Sequence, residues 1–222
     1  AANGPIFVGQ GKAIDASASP NVKVITVGNP CNTNALIACA NAPSIPSRQF
    51  TAMTRLDQNR AVGQIAEQVG VPASDVSDVF IWGNHSNTMY PDPRFGKVNN
   101  KPVTDLLESN WLQGKFLDTV ANRGKAIIVA RGASSAASAA SAAVDHMRDW
   151  WQGSDSRIVS MALPSEGWYD VPEGLVFSFP CRCEGGEIIV VEDLAIDEFA
   201  QKKIRENVQA LLEERDAVSE LL

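Results

Sequence analysis

Val22-Lys23-Val24-Ile25-Thr26-Val27-Gly28-Asn29-Pro30 is the stretch on which the fold class turns. A β-branched apolar run halted by Gly-Asn-Pro reads as a buried parallel strand whose C-terminal end opens into a loop. In open α/β sheets ligands bind at that end of the strands. Working outward, residues 7–18 carry a short helical pattern, and residues 34–41 form a second, stopped by Pro43 and Pro46. Phe50-Thr51-Ala52-Met53-Thr54 reads as another strand, running into a helix that ends near Gly70-Val71-Pro72. Residues 76–82 repeat the opening pattern, an apolar strand closed by Gly83-Asn84-His85-Ser86.

The second half of the chain changes character. Residues 95–103 predict a hairpin turning at Asn99-Asn100. Residues 111–129 predict one long helix, and the Ala/Ser-rich stretch 133–143 a second, continuing to about Trp151. Alanine at that density favours a close-packed helix over a flexible linker. Residues 157–192 alternate strand patterns with Pro/Gly turns, an antiparallel meander of about three strands. Apolar positions Ile204, Val208, Leu211, Val218 and Leu222 then mark an amphipathic terminal helix. The fold class is therefore α/β: a parallel sheet followed by an α+β part with antiparallel strands and a C-terminal helix.

Of the 222 residues, 45% are hydrophobic and 20% charged, which excludes a disordered chain. The formal net charge of −7 is unevenly spread. Residues 184–222 hold 11 acidic and 4 basic side chains, so the remaining body is neutral. A neutral body with an acidic end offers no nucleic-acid footprint. The acidic excess reads as a solvated helix face, away from the strand-end loops. No run reaches the roughly 18 apolar residues of a membrane span. The four cysteines, Cys31, Cys39, Cys181 and Cys183, form no Cys-x-x-Cys and have no nearby histidine, so no metal site is expected. They read as reduced thiols of an intracellular protein.

Three polar clusters fall where apolar elements end: Gly28-Asn29-Pro30, Asp57 with Arg60, and Asn84-His85. Loops at strand ends gather binding and catalytic groups. Of the two histidines, His146 sits on a helix among charged neighbours and reads as a surface residue. His85 directly follows a strand, where a capping or core role is the plain alternative to a chemical one. A His–Asp pair suits proton transfer near neutral pH, because the carboxylate fixes the tautomer and stabilises the imidazolium. Arg60, three residues after Asp57, could clamp a carboxylate bidentately. Spacing alone is equally compatible with a structural ion pair. Ser86 lacks the Gly-x-Ser-x-Gly elbow of a hydrolase.

The strings themselves go further. Val27-Gly28-Asn29-Pro30-Cys31-Asn32-Thr33-Asn34, Met53-Thr54-Arg55-Leu56-Asp57-Gln58-Asn59-Arg60-Ala61 and Ile81-Trp82-Gly83-Asn84-His85-Ser86 resemble motifs of malate dehydrogenases of the cytosolic type, within the lactate/malate dehydrogenase superfamily. Arg131-Gly132-Ala133-Ser134-Ser135-Ala136-Ala137-Ser138 and Pro172-Glu173-Gly174 with Phe177-Ser178-Phe179-Pro180 continue the match in order. The resemblance implies reversible hydride transfer between malate and oxaloacetate with NAD. It makes Asp57 and His85 the proton-relay pair, and gives Arg60 the grip on a substrate carboxylate. Asn29 then contacts both substrate and cofactor, and Val27 and Gly28 offer backbone to the cofactor. Asn3 and Gln10 become cofactor contacts on the preceding helix, while an unspecified serine of 133–143 borders the site. It also implies a cytoplasmic homodimer. The strings around Leu56 and Trp82 are of the malate rather than the lactate type.

The same family opens on a strand, a Gly-rich phosphate turn and an acidic ribose residue, then a mobile loop with two substrate arginines. None of these strings occurs here. Ala1-Ala2-Asn3-Gly4, without an initiator Met or the order of a signal peptide, reads as a cut through a longer chain. The expected organisation is residues 1–52 as the C-terminal part, or remnant, of a Rossmann-type NAD-binding domain, and 53–222 as the catalytic, substrate-binding domain. The chain alone is then expected to be inactive, and the competing reading is a non-catalytic folding or dimerisation module. By analogy, an end at Ser219-Glu220-Leu221-Leu222 without a regulatory extension favours NAD over NADP.

Overall fold

The computed structural model describes residues 3–222. Its main sheet has five strands: β1 (Val24–Thr26), β2 (Phe50–Ala52), β8 (Val159–Pro164), β9 (Val176–Glu184) and β10 (Glu187–Val190), in that spatial order. β1 pairs parallel to β2, Val24 opposite Phe50, and every later pairing is antiparallel. The parallel strand and the three-stranded meander thus stand as expected. Their burial does not: Val24 and Ile25 are only half-buried and Val27 is 41% exposed, because β1 is an edge of the sheet among the described residues.

The helices follow their signals with local corrections. Both α1 (Gly4–Ser17) and α2 (Cys31–Ala40) begin three residues before their predicted starts. The third helix, α3 (Arg55–Val69), ends where Gly70 turns left-handed at φ 78°, a conformation open to glycine. The predicted strand over 76–82 is broken. β3 (Val76–Ser77) joins a small sheet with the hairpin strands β6 (Lys97–Val98) and β7 (Lys101–Pro102), while β4 (Phe80–Trp82) pairs with β5 (Tyr90–Asp92). The break is at Asp78, φ 56°, whose carboxylate accepts the Ile158 N–H. The hairpin turns at Asn99 and Asn100, both at positive φ, as predicted.

Two short helices, α4 (Val103–Leu106) and α5 (Ser109–Gln113), precede α6 (Lys115–Arg131). Gly114 therefore divides the single helix expected over 111–129. The Ala/Ser-rich helix α7 (Ala136–Gln152) starts after Gly132 has ended α6. Here one expectation fails outright. His146 is fully buried, not a surface residue: its Nε2 meets the Thr51 hydroxyl at 3.1 Å and its ring lies edge-on to Trp150. Charged neighbours along a helix occupy other faces, so they say little about the face it buries.

The last helix, α8 (Glu198–Asp216), is capped by the Asp197 side chain on the Ala200 N–H. It lays Ala200, Ile204 and Leu211 on a core formed by Trp82, Phe177, Phe179 and Met161. Each buried Ile, Leu, Phe or Met side chain there contributes about 1.5–3 kcal/mol by leaving water. A second core joins Ala61 and Ile65 of α3 to Phe116 and Val120 of α6 and Ile81 of β4. Both cores converge on β4, so the loop after Trp82 leaves a rigid base. Among the described residues, no helix is long and apolar enough to cross a membrane.

Candidate active site

Asp57 enters from the first turn of α3, where the positive end of the helix favours a carboxylate. It is fully buried, and both its oxygens are used. Oδ2 bonds Nδ1 of His85, and Oδ1 accepts from the Arg60 guanidinium at 3.3 Å. His85 and Arg60 keep 16% and 15% of their side chains open to solvent. Asp57, His85 and Arg60 are therefore one cluster, its carboxylate fully buried and its other two side chains partly open to solvent.

Opposing effects act on His85. Burial depresses its pKa, the hydrogen bond and charge of Asp57 raise it, and Arg60 opposes them; the net result lies above the ordinary 6.5. A carboxylate can only accept, so Nδ1 carries the proton in the Asp57 bond and Nε2 is the free acceptor of a neutral ring.

The loop bearing His85 is tied down on several sides. Gly83 forms a two-way bridge with Ser178 of β9, its N–H donating at 3.0 Å and its carbonyl accepting at 2.9 Å. Asn32 of α2 accepts the His85 N–H at 3.1 Å and donates to the carbonyls of Gly83 and Val176. Asn207 of α8 accepts the Asn84 N–H at 2.9 Å and donates to the Thr88 carbonyl at 2.6 Å. Gly83 is glycine of necessity: at φ 90° a β-carbon there would overlap the Asn207 amide. Glu214 of α8 accepts from the Asn84 amide at 2.7 Å and from the Thr33 hydroxyl. The expectation of a purely solvated acidic face, away from these loops, is thus corrected at Glu214.

The Gly28–Pro30 loop arrives beside this cluster through α2. Cys31 opens that helix fully buried, and burial together with the nearby Asp57 charge pushes its thiol above the usual range. Asn29 is exposed, and its carbonyl accepts from the Asn3 side chain at 2.8 Å. Asn34 donates to the Gly28 carbonyl at 2.9 Å, shaping the turn. Gln10 is exposed on α1, and among the described residues it makes no hydrogen bond to this loop. A hollow of about 500 Å³ opens beside Arg60 and Arg123, with Ser135, Ser138 and Ser141 on its wall. Three serines of the 133–143 segment therefore face the same space as Arg60, although His85 does not line it.

Sequence reasoning passed over Asn32, Asn207 and Glu214. Asn32 lay inside a quoted string without a role. Asn207 was detectable as an amide inside the apolar stripe Ile204, Val208, Leu211. Among the described residues no group of three His, Cys, Asp or Glu could hold a metal. The surface after β1 fits the ring end of a dinucleotide: Val27 presents an exposed apolar face, with Gly28 and Asn29 open beside it.

The sequence profile described as "lactate/malate dehydrogenase, alpha/beta C-terminal domain" matches residues 54–222. Malate dehydrogenase from Naegleria fowleri ATCC 30863 is 46% identical, over 99% of this chain and 68% of its own, with a TM-score of 0.94. Trichomonas vaginalis lactate dehydrogenase in complex with NADH and oxamate is 33% identical, over 99% of this chain and 69% of its own, with a TM-score of 0.95. Malate dehydrogenase from Plasmodium falciparum, at 21% identity and a TM-score of 0.87, shares the fold.

Proposed function

The chain belongs to the lactate/malate dehydrogenase family, and from that premise we propose that it carries the proton-transfer and substrate-binding groups of an NAD-dependent malate dehydrogenase. The observation that carries this reading is the buried Asp57 shared between His85 and Arg60. NAD, held at Val27, Gly28, Asn29, Asn3 and Gln10, would supply the hydride acceptor. The rest of the chemistry belongs to the chain. Nε2 of neutral His85 takes the hydroxyl proton of the 2-hydroxy acid while the carbinol C–H leaves as hydride, and Asp57 stabilises the imidazolium that results. In reverse, Nε2–H of the charged ring protonates the keto oxygen as the carbonyl carbon receives the hydride, leaving His85 neutral. Arg60 grips a substrate carboxylate as a planar fork.

Malate, rather than lactate, is supported by the strings around Leu56 and Trp82 and by the likeness to the Naegleria fowleri enzyme. The resemblance to the cytosolic type supports a cytoplasmic homodimer. The deciding experiment compares turnover of oxaloacetate and pyruvate with NADH, in protein carrying this chain in its natural context, alongside His85→Asn. We expect preference for oxaloacetate, and loss of turnover in His85→Asn with NADH binding kept. Preference for pyruvate would transfer the reading to lactate. Absence of turnover with either substrate would favour a non-catalytic module.

A further inference from the structure

α8 carries a fully buried amide, Asn207, and a half-buried carboxylate, Glu214. Asn207 and Glu214 are seven residues apart, two helical turns, and so share a face. Asn207 is fully buried between Ile204 and Leu211, where an apolar side chain would be the economical choice. A buried amide is tolerated when its hydrogen bonds are made. Asn207 makes four, to the Asn84 N–H, the Thr88 hydroxyl, the Thr88 carbonyl and the Lys203 carbonyl. Three of these grip the loop on either side of His85. Glu214 holds the same loop one residue before the histidine, through the Asn84 amide, and anchors it to α2 through Thr33.

We propose that Glu214 and Asn207 are positioning residues that hold His85 in register with Asp57, so that the C-terminal helix is part of the proton-transfer machinery without touching substrate. This rests on the reading of His85 as the proton acceptor. The selection of bonds supports it over simple roofing: α8 already packs through Ala200, Ile204 and Leu211, and its polar contacts concentrate on residues 84–88.

The test uses Glu214→Ala and Glu214→Gln in the full-length protein, with His85→Asn alongside. Glutamine keeps an oxygen that accepts from Asn84 or Thr33. Glu214→Ala should lower kcat by on the order of tenfold or more, since a misplacement of about 1 Å can cost roughly a hundredfold. The KM for NADH should be unchanged, and Glu214→Gln should restore most of the rate. If Glu214→Ala does not fold, Glu214→Asp takes its place, keeping the charge on an arm one methylene shorter, with the same expectations. Unchanged kcat in a variant that folds, or equal loss in the Gln and Ala variants, overturns the proposal. The two failures separate cleanly. A His85→Asn protein that keeps turning over refutes the proton-relay reading itself, whereas an inactive His85→Asn beside a fully active Glu214→Ala refutes only the role of α8.

Discussion

Asp57 and His85 are 28 residues apart in the chain, yet a carboxylate oxygen of one bonds a ring nitrogen of the other with the aspartate fully buried. The bond fixes which nitrogen faces outward, and it moves the histidine's titration upward against the burial that depresses it. Oxidation of a 2-hydroxy acid needs the neutral ring and reduction of the keto acid needs the charged one. The oxidative rate should therefore rise, and the reductive rate fall, through a pKa above 6.5. Asp57→Asn removes the charge that raises it, so both limbs should move to lower pH. Paired pH–rate profiles of the two directions check this, and profiles left in place would contradict it.

Arg60 makes one hydrogen bond to Asp57, at the long distance of 3.3 Å, and lines the adjacent hollow. Arg60→Gln should raise KM for the dicarboxylate by about ten- to a hundredfold, the equivalent of a charge-assisted bond of roughly 1.5–3 kcal/mol. Cofactor affinity should change little. Steady-state kinetics with oxaloacetate as the varied substrate would show it, and an unaltered KM would remove Arg60 from substrate binding.

The two histidines should affect stability with opposite signs. His85, titrating above its ordinary value in the fold, contributes stability that is full below about pH 6.5 and lost as pH rises through the folded pKa. His146 is pushed down to about 3, by burial first and then by Arg55. Its contribution is full above the ordinary 6.5 and lost as pH falls from there toward 3. His146→Gln keeps a donor for Thr51 but cannot titrate. Between pH 7 and pH 5 it should lose about 2 kcal/mol less than the parent. Urea melts at the two pH values measure this, and parallel losses would show that His146 does not titrate across unfolding.

Asp149 is 1% exposed and accepts from Arg55 at 2.5 Å and Arg157 at 2.9 Å. Removing it leaves Arg55 buried without its counter-ion. Asp149→Ala should cost about 3–5 kcal/mol, the range for breaking one side of a buried pair. Arg157→Ala, whose side chain is 44% exposed, should cost far less. Equal melting temperatures for the two variants would refute this ranking.

The strand ends and the residues on them were legible because their signals are local. Val27-Gly28-Asn29-Pro30 and Trp82-Gly83-Asn84-His85 each show an apolar run meeting a turn, and Asp57 and Arg60 share one helical turn. What escaped is non-local. The break at Asp78 exists because its carboxylate reaches Ile158, 80 residues away. His146 is buried because Thr51 and Trp150 cover it, and only Trp150 lies on its own helix. Asn207 stands out in the sequence only as an amide inside an apolar stripe and Glu214 as an ordinary polar position, since nothing near them in the chain reveals that they face the loop of His85.

Asn32 sits in the stretch before residue 53, and its side chain makes three bonds to the stretch after it, at Gly83, His85 and Val176. The consequence is one of cooperativity. A segment stitched at three points to its neighbour should not loosen alone, so α2 and the loop of His85 should open to solvent as one unit. The amide hydrogens of α2 and of the loop after β4 should accordingly exchange with deuterium at a common free energy, whatever boundary the chain order suggests between them.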